Sequence, residues 1–169
     1  MLKSSRAGRS ILAWVMWCTA SLVAAQQGDN EGIASTGGTN WSLKGGDFNG
    51  QHYSPLAQVN AANVDRLGLA WAADLPIPDG VATTPIVIDG VVYLSGAFSI
   101  ALAIDAISGR ILWSYDPDVR EAIAERPNLF WLARAQRGLA VRDGKVFLTT
   151  ADCRLIALDA AKGTRLWSR

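Results

Sequence analysis

The chain has 169 residues, with 16 Lys and Arg against 15 Asp and Glu, a formal net charge of +1 and 50% hydrophobic residues. No basic run stands out against that balance, so nucleic acid is excluded as a partner class. A single histidine, His52, excludes a histidine-rich metal site, and two cysteines are too few for a disulfide framework.

Residues 1–25 have the layout of a secretory signal peptide. Lys3, Arg6 and Arg9 form a positive start, Ile11 to Val23 is apolar, and Val23-Ala24-Ala25 offers small residues for cleavage before Gln26. The apolar stretch is short for a transmembrane helix, so no stable membrane span is expected and the chain is expected to be exported. Cleavage removes Cys18 and the three basic residues, which leaves Cys153 alone and the balance slightly acidic. Residues 26–40 are rich in Gln, Gly, Asn, Ser and Thr and read as a flexible lead-in.

The remainder, 41–169, reads as one all-β unit. A short helix is expected from Asn60 to Leu67, and Leu67-Gly68-Leu69-Ala70-Trp71 then reads as a strand. Ile86-Val87-Ile88, Asp89-Gly90 and Val91-Val92-Tyr93-Leu94 spell strand, tight turn, strand, because Asp-Gly supplies two residues that accept positive φ. Ala101 to Ile104 is a third strand. Asp105 to Gly109 is a turn with a side-chain acceptor, and it leads into Ile111-Leu112-Trp113. After that, Asp118 to Glu125 reads as helical, Pro127 breaks it, and Leu129 to Ala135 continues with apolar character.

The pattern then returns. Ala103-Ile104-Asp105-Ala106, Gly109 and Trp113 reappear as Ala157-Leu158-Asp159-Ala160, Gly163 and Trp167, fifty-four positions later. Asp89-Gly90 matches Asp143-Gly144, and Val92-Tyr93-Leu94 matches Val146-Phe147-Leu148 at the same offset. A constant offset means one supersecondary unit used twice, and four strands per unit is the size of a propeller blade. The repeats span about 83–115 and 137–169, with an insertion at 116–136. The tryptophans are expected to pack between blades and Asp105 and Asp159 to shape turns.

Trp41, Gly46-Asp47, Gln51-His52-Tyr53-Ser54-Pro55-Leu56, Val59-Asn60, Asn63-Val64 and Leu67 to Trp71 resemble the amino-terminal start of quinoprotein dehydrogenases. The two Ala-x-Asp-x-x-x-Gly-x-x-x-Trp elements resemble that family's tryptophan-docking motif, with Ser108 and Lys162 where Thr is usual. The resemblance implies an eight-bladed propeller holding pyrroloquinoline quinone and calcium, a periplasmic oxidoreductase for alcohols or polyols, and a cytochrome c or quinone as electron acceptor. It also implies that the metal acts as a Lewis acid and that a later blade supplies the catalytic aspartate.

Carried over residue by residue, the resemblance assigns one cofactor contact. Arg137-Gly138 matches the family's pair whose guanidinium approaches the cofactor's carboxylates and quinone oxygens, a task suited to a planar fork of donors. A surface or inter-blade salt bridge is the alternative for Arg137. Two positions depart from the family. Ala82 stands where many members have Glu, and Trp131-Leu132 stand where the alcohol dehydrogenases have adjacent cysteines. Two blades cannot close a ring, so the chain is expected to be the amino-terminal portion of such an enzyme and inactive alone. A non-catalytic scaffold or a degenerate homologue that binds protein partners in the periplasm is the alternative.

Overall fold

The computed structural model describes residues 38–169; the expected signal peptide and most of the lead-in lie outside them. Two four-stranded antiparallel sheets follow in chain order. The first holds β1 (Ile86–Ile88), β2 (Val91–Ser95), β3 (Ala101–Asp105) and β4 (Ile111–Tyr115). The second holds β5 (Ala140–Arg142), β6 (Lys145–Thr149), β7 (Leu155–Asp159) and β8 (Arg165–Ser168). Each is a simple meander, with strands adjacent in space in the order they occur in sequence. These are the two propeller blades that the repeat implies.

Local chemistry sets the register. At Asp89-Gly90 both φ angles are positive, 49° and 78°, and at Asp143-Gly144 they are 49° and 67°. That conformation twists with the strands it joins and makes Ile88 face Val91 and Arg142 face Lys145. The next turn is built by its aspartate. Asp105 Oδ1 accepts from the backbone N–H of Ser108 at 2.7 Å, the Ser108 hydroxyl at 2.7 Å and the Ile107 N–H at 3.2 Å. Asp159 does the same for Ala161 and Lys162 at 3.0 and 2.9 Å, without the hydroxyl. A bulge follows at the same place in each blade, between Ala103 and Ile104 and between Ala157 and Leu158.

The blades meet through tryptophan. The Trp113 indole N–H donates to the Ala160 carbonyl at 2.9 Å, and its ring covers Gly163, where an added Cβ would lie 2.6 Å from it. The Ala160 carbonyl is held in place because the residue's own N–H bonds to Gly144 at 2.9 Å. Tyr93, Ala101, Ala103 and Trp113 thereby bury themselves against Val146, Leu148, Ile156 and Leu158. Burial pushes the Tyr93 phenol above its ordinary value, with the Asp89 and Asp159 carboxylates adding to the effect. A second core lies on the other side of the first blade, where Leu94, Leu102 and Ile104 pack with Ile77, Val119 and Ile123. Trp71 joins that core and repeats the docking: its N–H donates to the Ala106 carbonyl at 3.0 Å and its ring covers Gly109.

Three expectations change in the structure. The helix expected at Asn60 to Leu67 is a single 3-10 turn, Val64–Arg66. Asn60 N–H donates to Asn63 Oδ1 at 2.8 Å, Ala62 N–H to Asn60 Oδ1 at 3.0 Å and Asn63 Nδ2 to the Gln58 carbonyl at 2.7 Å, so asparagine side chains shape local turns through this stretch. Leu67 to Trp71 is not paired into either sheet, and Leu69 is 85% exposed. The third change concerns Pro127, which opens a helix instead of only ending one. After α1 (Val119–Ala122), Pro127 occupies the first turn of α2 (Pro127–Ala133), where its missing N–H costs nothing.

Two measurements test this account. Gly163→Ala forces a Cβ into the Trp113 ring at a φ of +69°, and should lower stability by roughly 2–4 kcal/mol in chemical denaturation. Gly50→Ala, where an added Cβ meets nothing, keeps only the positive-φ cost and should lose less. The Ser108 hydroxyl and backbone hold the Asp105 carboxyl below its usual range. Its contribution is therefore complete above the unfolded carboxyl's range near pH 4 and fades as pH falls through the depressed folded value. Asp105→Asn should destabilise at pH 7, and the gap to wild type should narrow below about pH 4.

Candidate functional site: the loops at one end of the blades

Both blades send connections to the same end of the sheets. The β2–β3 connection (96–100), the β4–β5 connection (116–139) and the β6–β7 connection (150–154) are joined there by polar bonds. Ser99 Oγ donates to the Thr149 carbonyl at 3.3 Å, and Gln136 Nε2 donates to the same oxygen at 2.7 Å. Arg154 Nη2 donates to the Pro117 carbonyl at 2.6 Å while its Nε holds Asp152 at 2.7 Å. Asp152 in turn accepts from the Thr150 hydroxyl.

Backbone strain concentrates at this end. Phe98 and Ser99 are buried, yet they have φ of 58° and 61°, a left-handed region that costs about 1–2 kcal/mol per ordinary residue. Packing holds them in that conformation. The Phe98 ring meets Phe130 edge-on at 5.1 Å, and the Arg120 guanidinium stacks over it at 3.9 Å. Arg120 pairs with Asp79, and Arg134 approaches the same carboxylate at 3.6 Å. A cleft of about 270 Å³ beside this cluster is lined by Pro76, Phe98, Asp116 and Arg120 among others, and it does not include Arg137.

Arg137 follows α2 and precedes β5. It is exposed and makes no hydrogen bond or ion pair among the described residues. Its neighbour Gln136 is tied to Thr149, which fixes the backbone from which the guanidinium projects. On its other side lies Gly138, around which an added Cβ would meet nothing within 4 Å. An uncommitted guanidinium beside open space can receive a planar anion, whereas the salt bridge open to Arg137 on sequence alone does not form within the described residues.

The other positions singled out from sequence lie apart in role. Trp131 and Leu132, on α2, are 72% and 64% exposed, and the Arg134 guanidinium sits 5.4 Å from the Trp131 ring. Ala82 is exposed ahead of β1. Cys153 is exposed with a φ of 69°, a turn position that glycine would fill without strain. No group of three or more His, Cys, Asp or Glu stands together among the described residues, so they do not fit a metal centre. No helix among them is long and apolar enough to cross a membrane.

Sequence reasoning missed Gln136, Arg154 and the strained Phe98-Ser99 pair. None carries a local signal, since each matters only through a partner on another loop. Trp71 was placed on a strand, but its docking role was not foreseen, because no Asp-x-x-x-Gly precedes it within its own stretch.

Comparison with known proteins identifies what this architecture belongs to. Residues 41–168 match the family model described as the glucose/ethanol/alcohol dehydrogenase beta-propeller domain of PQQ proteins. The chain is 44% identical over 132 residues to 1-butanol dehydrogenase (cytochrome c) of Thauera butanivorans, covering 78% of this chain and 19% of that one. It is 43% identical over 129 residues to a quinohemoprotein alcohol dehydrogenase of Pseudomonas putida, covering 76% and 18%. Among solved structures, a quinohemoprotein alcohol dehydrogenase from Pseudomonas putida superposes with a TM-score of 0.73 at 42% identity, covering 84% of this chain and 21% of that one. A europium-containing methanol dehydrogenase superposes with a TM-score of 0.66 at 29% identity, covering 83% and 24%. The chain spans about a fifth of the length of these relatives, and it belongs to the PQQ-dependent alcohol dehydrogenase beta-propeller family.

Proposed function

We propose that this chain forms the amino-terminal blades of a periplasmic quinoprotein dehydrogenase that oxidises alcohols or polyols, with pyrroloquinoline quinone and calcium as its cofactors. The observation that supports the reading is Arg137, without a hydrogen bond or ion pair among the described residues, next to Gln136 and open beside Gly138, at the position that the resemblance matches to the family's cofactor-contacting arginine. The printed name of one relative includes cytochrome c and those of others include quinone, so the electron acceptor of this reading is a cytochrome c or a quinone.

The quinone, when bound, supplies two-electron oxidation of the alcohol carbon. This chain's residues serve binding and orientation. The Arg137 guanidinium presents parallel N–H donors to carboxylate or quinone oxygens and neutralises their charge. Gln136 ties this loop to Thr149 and the Thr150–Asp152–Arg154 network braces the neighbouring loop, so the chain on either side is held while the Arg137 side chain stays free to meet the ligand. No group of three or more His, Cys, Asp or Glu stands together among the described residues, so a complete metal site would need ligands from other segments of a full-length enzyme. The degenerate-homologue reading draws on Ala82 and on the bulky, exposed Trp131-Leu132.

The test is to replace the matched segment of the Thauera butanivorans enzyme with residues 41–168. With the quinone and calcium added, the hybrid should reduce a dye in the presence of 1-butanol. Arg137→Ala should weaken quinone binding, read as quenching of tryptophan fluorescence, by about tenfold or more. Its unfolding free energy should change by no more than about 0.5 kcal/mol, because the side chain is exposed and unpaired. A hybrid that folds but binds no quinone would favour the degenerate reading. The 169-residue chain alone should show neither tight quinone quenching nor turnover.

A further inference from the structure

Arg137 lies just before the point where the chain joins the second sheet, and a side chain closes the sheet there. In a two-residue hairpin the mutually bonded pairs alternate outward from the turn. From Arg142–Lys145 they pass to Ala140–Phe147, and the next would join Gly138 to Thr149. That pair does not form. β5 starts at Ala140, and the Gly138 N–H takes no hydrogen bond among the described residues. The Thr149 carbonyl is met instead by two side chains, Gln136 Nε2 at 2.7 Å and Ser99 Oγ at 3.3 Å.

The first blade shows that the fold does not by itself call for this arrangement. At the repeat offset, Gln136, Arg137 and Thr149 correspond to Ala82, Thr83 and Ser95. Ala82 has no side-chain donor, and the Thr83 and Ser95 hydroxyls meet each other at 3.4 Å. The amide thus belongs to the blade whose next residue is the unpaired arginine. Ser99 supports it from across the blade boundary. Both blades need a left-handed residue at that turn, since Cys153 at the same offset has a φ of 69° and Ser99 has 61°. In the first blade that residue is buried and also donates its hydroxyl to the second blade.

We propose that Gln136, supported by Ser99, is a positioning residue for Arg137. Its amide takes the place of the missing ladder bond and fixes the backbone from which the guanidinium projects. A ligand that meets Arg137 then has less loop freedom to remove on binding, which raises affinity without any new contact. Gln136 acts through the backbone, because its donor is already committed to Thr149. The inference rests on the reading of Arg137 as a cofactor contact.

Two experiments test it. The first uses the 169-residue chain without quinone and follows trypsin cleavage by mass spectrometry. Gln136→Ala should speed cleavage after Arg137 at least threefold, because a loosened backbone opens locally more often. Cleavage after the exposed Arg110, and the denaturation midpoint, should stay as in wild type. Unchanged cleavage after Arg137 overturns the backbone role.

The second measures quinone binding by fluorescence quenching in the hybrid enzyme that carries residues 41–168. Gln136→Ala should weaken binding roughly three- to tenfold, the worth of one ordinary hydrogen bond, and Ser99→Ala should weaken it less. In an Arg137→Ala background, Gln136→Ala should change nothing further. Equal weakening in both backgrounds overturns the positioning role, because a general loosening or a contact of Gln136's own would not need Arg137. Unchanged binding by Gln136→Ala, with Arg137→Ala weakened, overturns the inference and leaves the cofactor reading standing. Undiminished binding by Arg137→Ala, or a hybrid that binds no quinone, defeats the cofactor reading and this inference with it.

Discussion

An indole resting on a left-handed glycine holds the two blades together, and most of what surrounds it exists to make that contact possible. The glycine must lack a Cβ because the ring lies where a Cβ would be. Its positive φ is set by the turn, and the turn is set by an aspartate that gathers the backbone donors ahead of it. The alanine after that aspartate must point its carbonyl outward, and it does so because its N–H is bonded to the hairpin turn of the same blade. One polar bond and one large apolar contact are thus satisfied together, which is how an indole can be buried without orphaning its donor.

Because the contact is local and repeated, the scaffold leaves its loops free to specialise. The strand ends fix where the connections begin, and the connections then bond to one another across blades through Ser99, Gln136 and Arg154. Strained residues persist at Phe98 and Ser99 because their surroundings are tightly packed. Against that background the Arg137 guanidinium has no hydrogen bond or ion pair among the described residues, while its neighbour Gln136 is tied to Thr149.

Much of the fold was legible because its signals are short-range. Asp-Gly dictated the hairpins and the fifty-four-residue offset dictated two equal blades. Helix content was less legible. Asn60 and Asn63 build side-chain turns where a short helix is expected, and Pro127 could be read as a stop or as a start. For the site, Arg137 comes from the family resemblance and its cofactor role stays a proposal, while the residues that tie its loop are invisible in sequence because their partners are distant.

The sequence by itself determined the strands, the turns and the repeat, since each depends on a few neighbouring residues and their backbone preferences. It also determined which residues could form the contact, because the tryptophans recur at the repeat offset with a large ring and a donor. Tertiary structure alone decided which tryptophan docks on which glycine, Trp71 on Gly109 and Trp113 on Gly163. Those outcomes depend on how whole sheets stack, and stacking is a property of surfaces assembled from segments far apart in the chain.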